Sequence, residues 1–214
     1  ATMQALKEGF ENPELVEFLT FDHLNEFLSF EGVDKIEEEY QNFVATSQKV
    51  PLVNKLKANY EKWAHLKSGM PAPDFTYPDI DSLVHSLSDF KGQYVYIDVW
   101  ATWCGPCLAE QPYLEKIEAE YADNENILFM GVSIDADKAA WKKMVTEKEM
   151  YGVQLIAEDA WNSKINQDYL IKGIPRFILV DPEGNLVSSN AHRPSSDALK
   201  EQLEELLDLK PVTG

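Results

Sequence analysis

The chain has 214 residues, 44% of them apolar, 11% aromatic and 26% charged. That is enough apolar surface for a packed core, so wholesale disorder is excluded, and the length suits one domain with an appendage or two small ones. A net charge of −18, from 19 basic and 37 acidic side chains, repels phosphate backbones and anionic lipid, so neither nucleic acid nor a charged membrane surface is an expected partner. No run approaches the roughly 18 apolar residues of a membrane span, and two cysteines are too few for a disulfide-stapled scaffold. No basic-then-apolar leader follows Ala1, so a signal peptide is not expected within this chain. Its removal from a longer precursor would leave the same sequence, and the compartment is left open.

Taken in chain order, the first third reads as helical. Asn12-Pro13 has the form of an N-cap followed by proline at the first helical position, with Leu15, Phe18 and Leu19 at turn spacing. Val33, Ile36, Tyr40, Phe43 and Val44 form a second amphipathic stripe. Leu52, Leu56, Tyr60, Trp63 and Leu66 form a third, ended by Ser68-Gly69. Residues 1–48 carry 2 basic and 11 acidic side chains, residues 49–68 carry 5 basic and 1 acidic. Attraction between the two stretches would favour a small helical bundle, and solvated faces of unrelated helices are the plainer alternative.

A composition break at Gly69-Met70-Pro71-Ala72-Pro73 divides a helical segment, 1–69, from a second domain, 70–214. Beyond the break strands and helices alternate. Strands are predicted at Tyr94–Trp100, Ile127–Ile134 and Val153–Ala157, and helices at Pro106–Ala122, Lys138–Lys148 and Ser163–Tyr169. Arg176–Val180 and Leu186–Ser188 flank the turn-rich Asp181-Pro182-Glu183-Gly184-Asn185 as a hairpin, and Ser195–Leu209 closes the chain as an amphipathic helix. This order predicts an α/β layer structure with a mostly parallel sheet closed by an antiparallel hairpin.

Both cysteines lie in Trp100-Ala101-Thr102-Trp103-Cys104-Gly105-Pro106-Cys107, where a β run gives way to a helix. A thiol at a helix N-terminus faces free backbone N–H groups and the positive end of the helix dipole, which stabilise the nucleophilic thiolate. Cys107 lies three residues on, close enough to form a disulfide with Cys104, and Pro106 suits a first turn, where its missing N–H costs nothing. Three plainer readings compete: two buried thiols, half a zinc site, or a structural disulfide. Zinc wants four ligands, and His23, His65, His85 and His192 are scattered. A disulfide around two residues constrains almost no loop. Redox chemistry stands ahead of all three.

Trp103-Cys104-Gly105-Pro106-Cys107, the preceding strand, the following helix with Pro112, and the distant Gly173-Ile174-Pro175 together resemble the thioredoxin superfamily. The likeness covers roughly residues 70–210. Met70–Phe75 resembles the opening strand of the TlpA/ResA-like thiol-disulfide oxidoreductases, Leu87–Gly92 the segment leading to their first core strand, and Glu110 their active-site glutamate. The 71-residue gap between Cys104 and Pro175 leaves room for the extra strand and helix of that branch. The resemblance implies a thioredoxin-like fold, a central mixed sheet flanked by helices, with the helical segment preceding it.

It also implies roles. Cys104, the more exposed thiol, would attack, and Cys107 would resolve the mixed disulfide. Asp98, a carboxylate on an apolar strand with a raised pKa, would carry the resolving proton, and Glu110 would assist or simply be a solvated helical carboxylate. Pro175, expected to be cis, would shape a substrate groove with Trp103, Gly105, Pro106, Ile174 and Arg176. Arg176 would lower the pKa of Cys104 or select acidic partners, unless strand alternation turns it away. Trp100 would pack beneath the motif, and Trp141 and Trp161 would pack helices of the insertion.

No cofactor or metal is expected beyond the redox-active Cys104–Cys107 pair. Partners would be protein thiols and disulfides together with an upstream reductant, membrane-bound or soluble. The Gly-Pro dipeptide resembles that of reducing thioredoxins, at about −270 mV, rather than a strong oxidant near −120 mV. The branch implies a periplasmic or envelope-associated location, with the cytoplasm as the alternative. A binding or adaptor module, in which residues 1–69 recruit a partner and the second domain serves as scaffold, is the competing functional class.

Overall fold

A computed structural model describes residues 12–208. The chain divides into two compact units that meet between Met70 and Pro71. Ala1 and Leu209, on which two of the expectations above fall, lie outside the described residues.

Among the described residues, the first unit holds three helices. In α1 (Pro13–Glu31), the Asn12 side chain accepts from the Glu14 and Leu15 amides, as a cap should, and proline occupies the first turn. α2 (Glu37–Thr46) and α3 (Val50–Trp63) follow, and a 3-10 turn, Ala64–Leu66, ends the third. Leu24, Leu28, Ile36, Phe43, Leu56 and Leu66 are buried between them, and Tyr40 stacks on Tyr60 with centroids 3.9 Å apart. The charge division has a structural counterpart: Lys49 pairs with Glu14 at 2.7 Å and Lys67 with Glu37 at 3.0 Å. These pairs are exposed or half-exposed and add little beside the apolar burial.

In the second unit a five-stranded sheet runs β5-β4-β3-β6-β7, from β3 (Tyr94–Trp100), β4 (Ile127–Ser133), β5 (Val153–Ile156), β6 (Arg176–Val180) and β7 (Leu186–Ser188). β3–β4 and β4–β5 are parallel, while β3–β6 and β6–β7 are antiparallel. The sheet is therefore evenly mixed rather than mostly parallel. The expectation placed the reversal only within the terminal hairpin, but β6 enters beside β3 already antiparallel. The hairpin turn is closed by Asp181 Oδ1, which accepts from the Glu183 and Asn185 amides, and Gly184 supplies the positive φ of +89° there.

The opening strand also differs. Residues 70–75 form no strand beyond a single bridge, Pro71 to Asn185. The short β1 (Thr76–Pro78) pairs instead with β2 (Val84–Ser86) in a separate two-stranded sheet, because prolines at 71 and 73 cannot donate to a ladder. A 3-10 turn, Leu87–Phe90, leads into β3.

Among the described residues, four helices flank the sheet: α4 (Gly105–Glu120), α5 (Lys138–Glu147), α6 (Lys164–Asp168) and α7 (Asp197–Asp208). Leu114 and Ile117 of α4 and Leu199 and Leu203 of α7 pack on Tyr96, Phe129, Phe177 and Leu179 of one sheet face. Because β3 is covered on both faces, it reads as a nearly continuous apolar run. Asp98 is the charged residue in it, on the face beneath α4.

Candidate active site

Trp100 ends β3 and Gly105 begins α4, so the dithiol segment occupies a strand-to-helix turn. Cys104 is the N-cap of α4, and its sulfur accepts from the Cys107 amide at 3.1 Å. Cys104 and Cys107 are joined as a disulfide with Cα atoms 5.2 Å apart. The free N–H groups of the helix start thus face the Cys104 sulfur. Cys104 is the more exposed of the two, at 4% against 1%, though both sulfurs are buried. The exposed surface around it is made instead by Trp103, Gly105 and Pro106.

The turn is pinned from β4. The Thr102 amide donates to Asp135 at 2.8 Å and its hydroxyl at 2.7 Å, and Ser133 Oγ lies 2.7 Å from the same carboxylate. Asp135 is buried, two residues past the end of β4, the parallel neighbour of β3. Its contact with Thr102 depends on β3 and β4 lying side by side, which the sequence alone does not show.

Pro175 reaches the same end of the sheet. Val99 pairs with Arg176, so continuing the antiparallel register sets Trp100 opposite Pro175. The Ile174–Pro175 peptide bond is cis, and both residues are partly exposed. Arg176 is buried and shares a face with Val99, whereas Asp98 and Phe177 share the other. Trp100 and Trp141 are fully buried. Trp161 corrects its expectation: it stands 43% exposed in a 3-10 turn, Ala160–Asn162, with its ring 6.2 Å from that of Trp103, itself 58% exposed. It helps form the site's rim rather than packing a helix.

Beneath α4, Asp98 is fully enclosed. Its Oδ2 accepts from Gln111 Nε2 at 3.2 Å. Burial, reinforced by the charges of Glu118 and Glu110, pushes its carboxyl up to about 8. Glu118 is buried as well and is pushed up to about 7 by burial and then by Glu115. Glu110 has different partners from those its expected role suggests. Its two oxygens accept from the Ser195 amide and hydroxyl, each at 3.0 Å, and Arg193 lies 3.7 Å away. Gln111 and Glu118 escaped the sequence reading, although Cys107, Gln111, Leu114 and Glu118 recur at helical spacing on one buried stripe.

A dithiol capping a helix, set against a cis-proline loop at the carboxyl end of a mixed sheet, defines a thiol-disulfide oxidoreductase of thioredoxin-like fold. The comparisons agree. Redoxin family sequences match residues 67–207, and the chain belongs to that family. It is 31% identical over 150 residues to the thioredoxin-like protein YneN of Bacillus subtilis, covering 70% of this chain and 84% of that one. It is 27% identical over 148 residues to the thiol-disulfide oxidoreductase ResA of Bacillus cereus, covering 69% and 81%. The crystal structure of the thioredoxin domain of a thiol-disulfide oxidoreductase from Bacteroides vulgatus superposes with a TM-score of 0.60 at 35% identity, covering 66% of this chain and 99% of that one. The chain is thus a ResA-like enzyme acting on thiols and disulfides. Among the described residues, no helix is long and apolar enough to cross a membrane.

Proposed function

We propose that the enzyme reduces disulfides of partner proteins, with Cys104 as the attacking and Cys107 as the resolving sulfur. The observation that carries this assignment is the Cys107 amide donating to Cys104 Sγ at the start of α4, which favours negative charge on Cys104. Cys104 attacks the partner disulfide and one partner sulfur leaves. Cys107 then gives up its proton and displaces the other, and the enzyme is left oxidised. Asp98 accepts that proton. Glu110 acts through its charge, which helps hold the Asp98 proton, and it anchors the start of α7 through Ser195.

Trp103, Gly105, Pro106, Ile174 and Pro175 form the groove in which an extended partner segment lies. Pro175 lacks an N–H, so it does not compete for the backbone groups that a docked strand needs. The charge of Arg176, at this end of the sheet, favours the Cys104 thiolate, and an unchanged thiolate midpoint in Arg176→Thr removes that role. The dithiol is the only redox group that the reaction requires. A separate reductant, membrane-bound or soluble, renews it. The Gly-Pro dipeptide supports the reducing direction and the ResA likeness an envelope-side location.

An insulin-reduction assay tests the reading: wild type is active and Cys104→Ser is inactive. A second reading concerns the helical unit, residues 1–69. Phe27 and Phe30, three residues apart, are exposed on one side of α1, a surface suited to recruiting a partner. Equal capture of a partner by wild type and Cys104→Ser favours that adaptor role.

A further inference from the structure

Asp98 of β3 pairs with Gly131 of β4, and Gly131 pairs with Gln154 of β5. The three form one row across the sheet, on the face beneath α4. A Cβ added at Gly131 would come within 2.3 Å of Oε1 at the end of the flexible Gln154 side chain. The Gln154 side chain therefore lies over Gly131, and its Nε2 donates to the Tyr151 carbonyl at 2.6 Å. Among the described residues, neither its Oε1 nor Asp98 Oδ1, both buried acceptors, has a donor. Such groups are rare and call for a partner.

Both residues line a cavity that Gln111, Leu114, Glu118 and Met150 also line, with about 10 Å³ open to the centre of a water-sized sphere. That is room for a single water. A water there has two protons to offer two acceptors and a lone pair to receive a third proton from a carboxyl group.

We propose that Asp98 and Glu118 share one proton through a water held between Asp98 Oδ1 and Gln154 Oε1, and that Glu118 is where this proton exchanges with solvent. The proposal rests on the reading of Asp98 as acceptor in the resolving step. There, the Cys107 S–H bond breaks and its proton goes to Asp98. The Cys107 sulfur forms a bond to Cys104 Sγ, the Cys104–partner bond breaks, and the partner sulfur leaves as a thiolate. The pair of cysteines is oxidised and the partner reduced. The proton on Asp98 then passes through the water to Glu118 and out, away from the groove that holds the partner. Glu118 touches neither sulfur and is a positioning residue: while it holds the shared proton, Asp98 is an anion free to accept another.

The surroundings favour one proton for the pair. Glu110 and Glu115 add negative charge from α4, Tyr96 faces the cavity from β3, and Tyr151 faces it from the segment before β5. Among the described residues that line the cavity there is no Lys, Arg or His. Arg193 is drawn to Glu110. Two carboxylates in such a site cannot both ionise cheaply, and they titrate as a coupled pair.

The test is a carbon-13 titration of the Asp and Glu carboxyl carbons in the full chain. In wild type, Asp98 and Glu118 each show two inflections at shared midpoints. Glu118→Gln leaves Asp98 with a single inflection, displaced to lower pH by about one pH unit. The pH profile of mixed-disulfide resolution moves with it, which a purely structural role would not cause. Single, independent inflections in wild type overturn the proposal, and this measurement needs no variant to fold. An Asp98 midpoint unmoved in Glu118→Gln overturns it as well. Resolution at the wild-type rate in Asp98→Asn overturns the acceptor role of Asp98 instead, while the titration still decides the shared proton.

Discussion

Thr102 is bound twice to Asp135, through its amide at 2.8 Å and its hydroxyl at 2.7 Å, so the turn that presents Cys104 is held by the strand beside it. Asp135→Ala leaves a half-buried amide and two hydroxyls without an acceptor, at a cost of about 2 kcal/mol in stability. Insulin reduction at a temperature where the variant remains folded falls about tenfold, because the helix start no longer keeps its alignment. Asp135→Asn retains an acceptor for the Thr102 amide and recovers part of both losses. Chemical denaturation and insulin turnover, measured on the same samples, check this.

Asp98 makes stability depend on pH. Its carboxyl titrates near 8 in the folded chain, against an ordinary value of 3.8. Between those values the folded state holds a proton that the unfolded chain has released, so the stability this group contributes is full below about 4 and is lost as pH rises through 8. Asp98→Asn removes that loss. The variant is expected to exceed wild type by up to about 5 kcal/mol at pH 9, with the gap closing toward pH 4. Denaturant midpoints across that range measure it.

Trp103 and Trp161 expose large aromatic faces beside the dithiol, and little of the core depends on them. Trp161→Ala changes stability by no more than about 0.5 kcal/mol. It lowers kcat/KM for a folded protein substrate about fivefold while leaving reduction of a small disulfide nearly unchanged, since only a large partner reaches the rim. Comparing the two substrates separates rim contacts from chemistry.

The redox site was legible because its chemistry is local. Cys104, Pro106 and Cys107 sit within one turn, and the helix start that they open follows from proline and the preceding β run. Pro175 was legible as well, through the short motif before β6. Contacts made across the sheet were not. Asp135 reaches Thr102 only because β3 and β4 lie side by side, and Gln154 approaches Asp98 only because Gly131 lies between them. Strand order is a tertiary fact, and Asp135 and Gln154 look like ordinary polar residues in the chain. Glu118 lay within reach, since its spacing from Cys107 put it on the buried stripe of α4. Trp161 was misplaced because its bulk suggested burial, whereas a 3-10 turn carries it to the rim.

The central claim is a division of labour between two sulfurs, and covalent trapping tests it most directly. Wild type, Cys104→Ser and Cys107→Ser, each as the full chain in its reduced form, are mixed with a disulfide-bonded substrate, and the adducts are weighed by mass spectrometry. A stable mixed disulfide on Cys104 that accumulates in Cys107→Ser, is fleeting in wild type and does not form in Cys104→Ser is the expected result. Adducts forming equally on either single-cysteine variant, or none forming on Cys104, would contradict it.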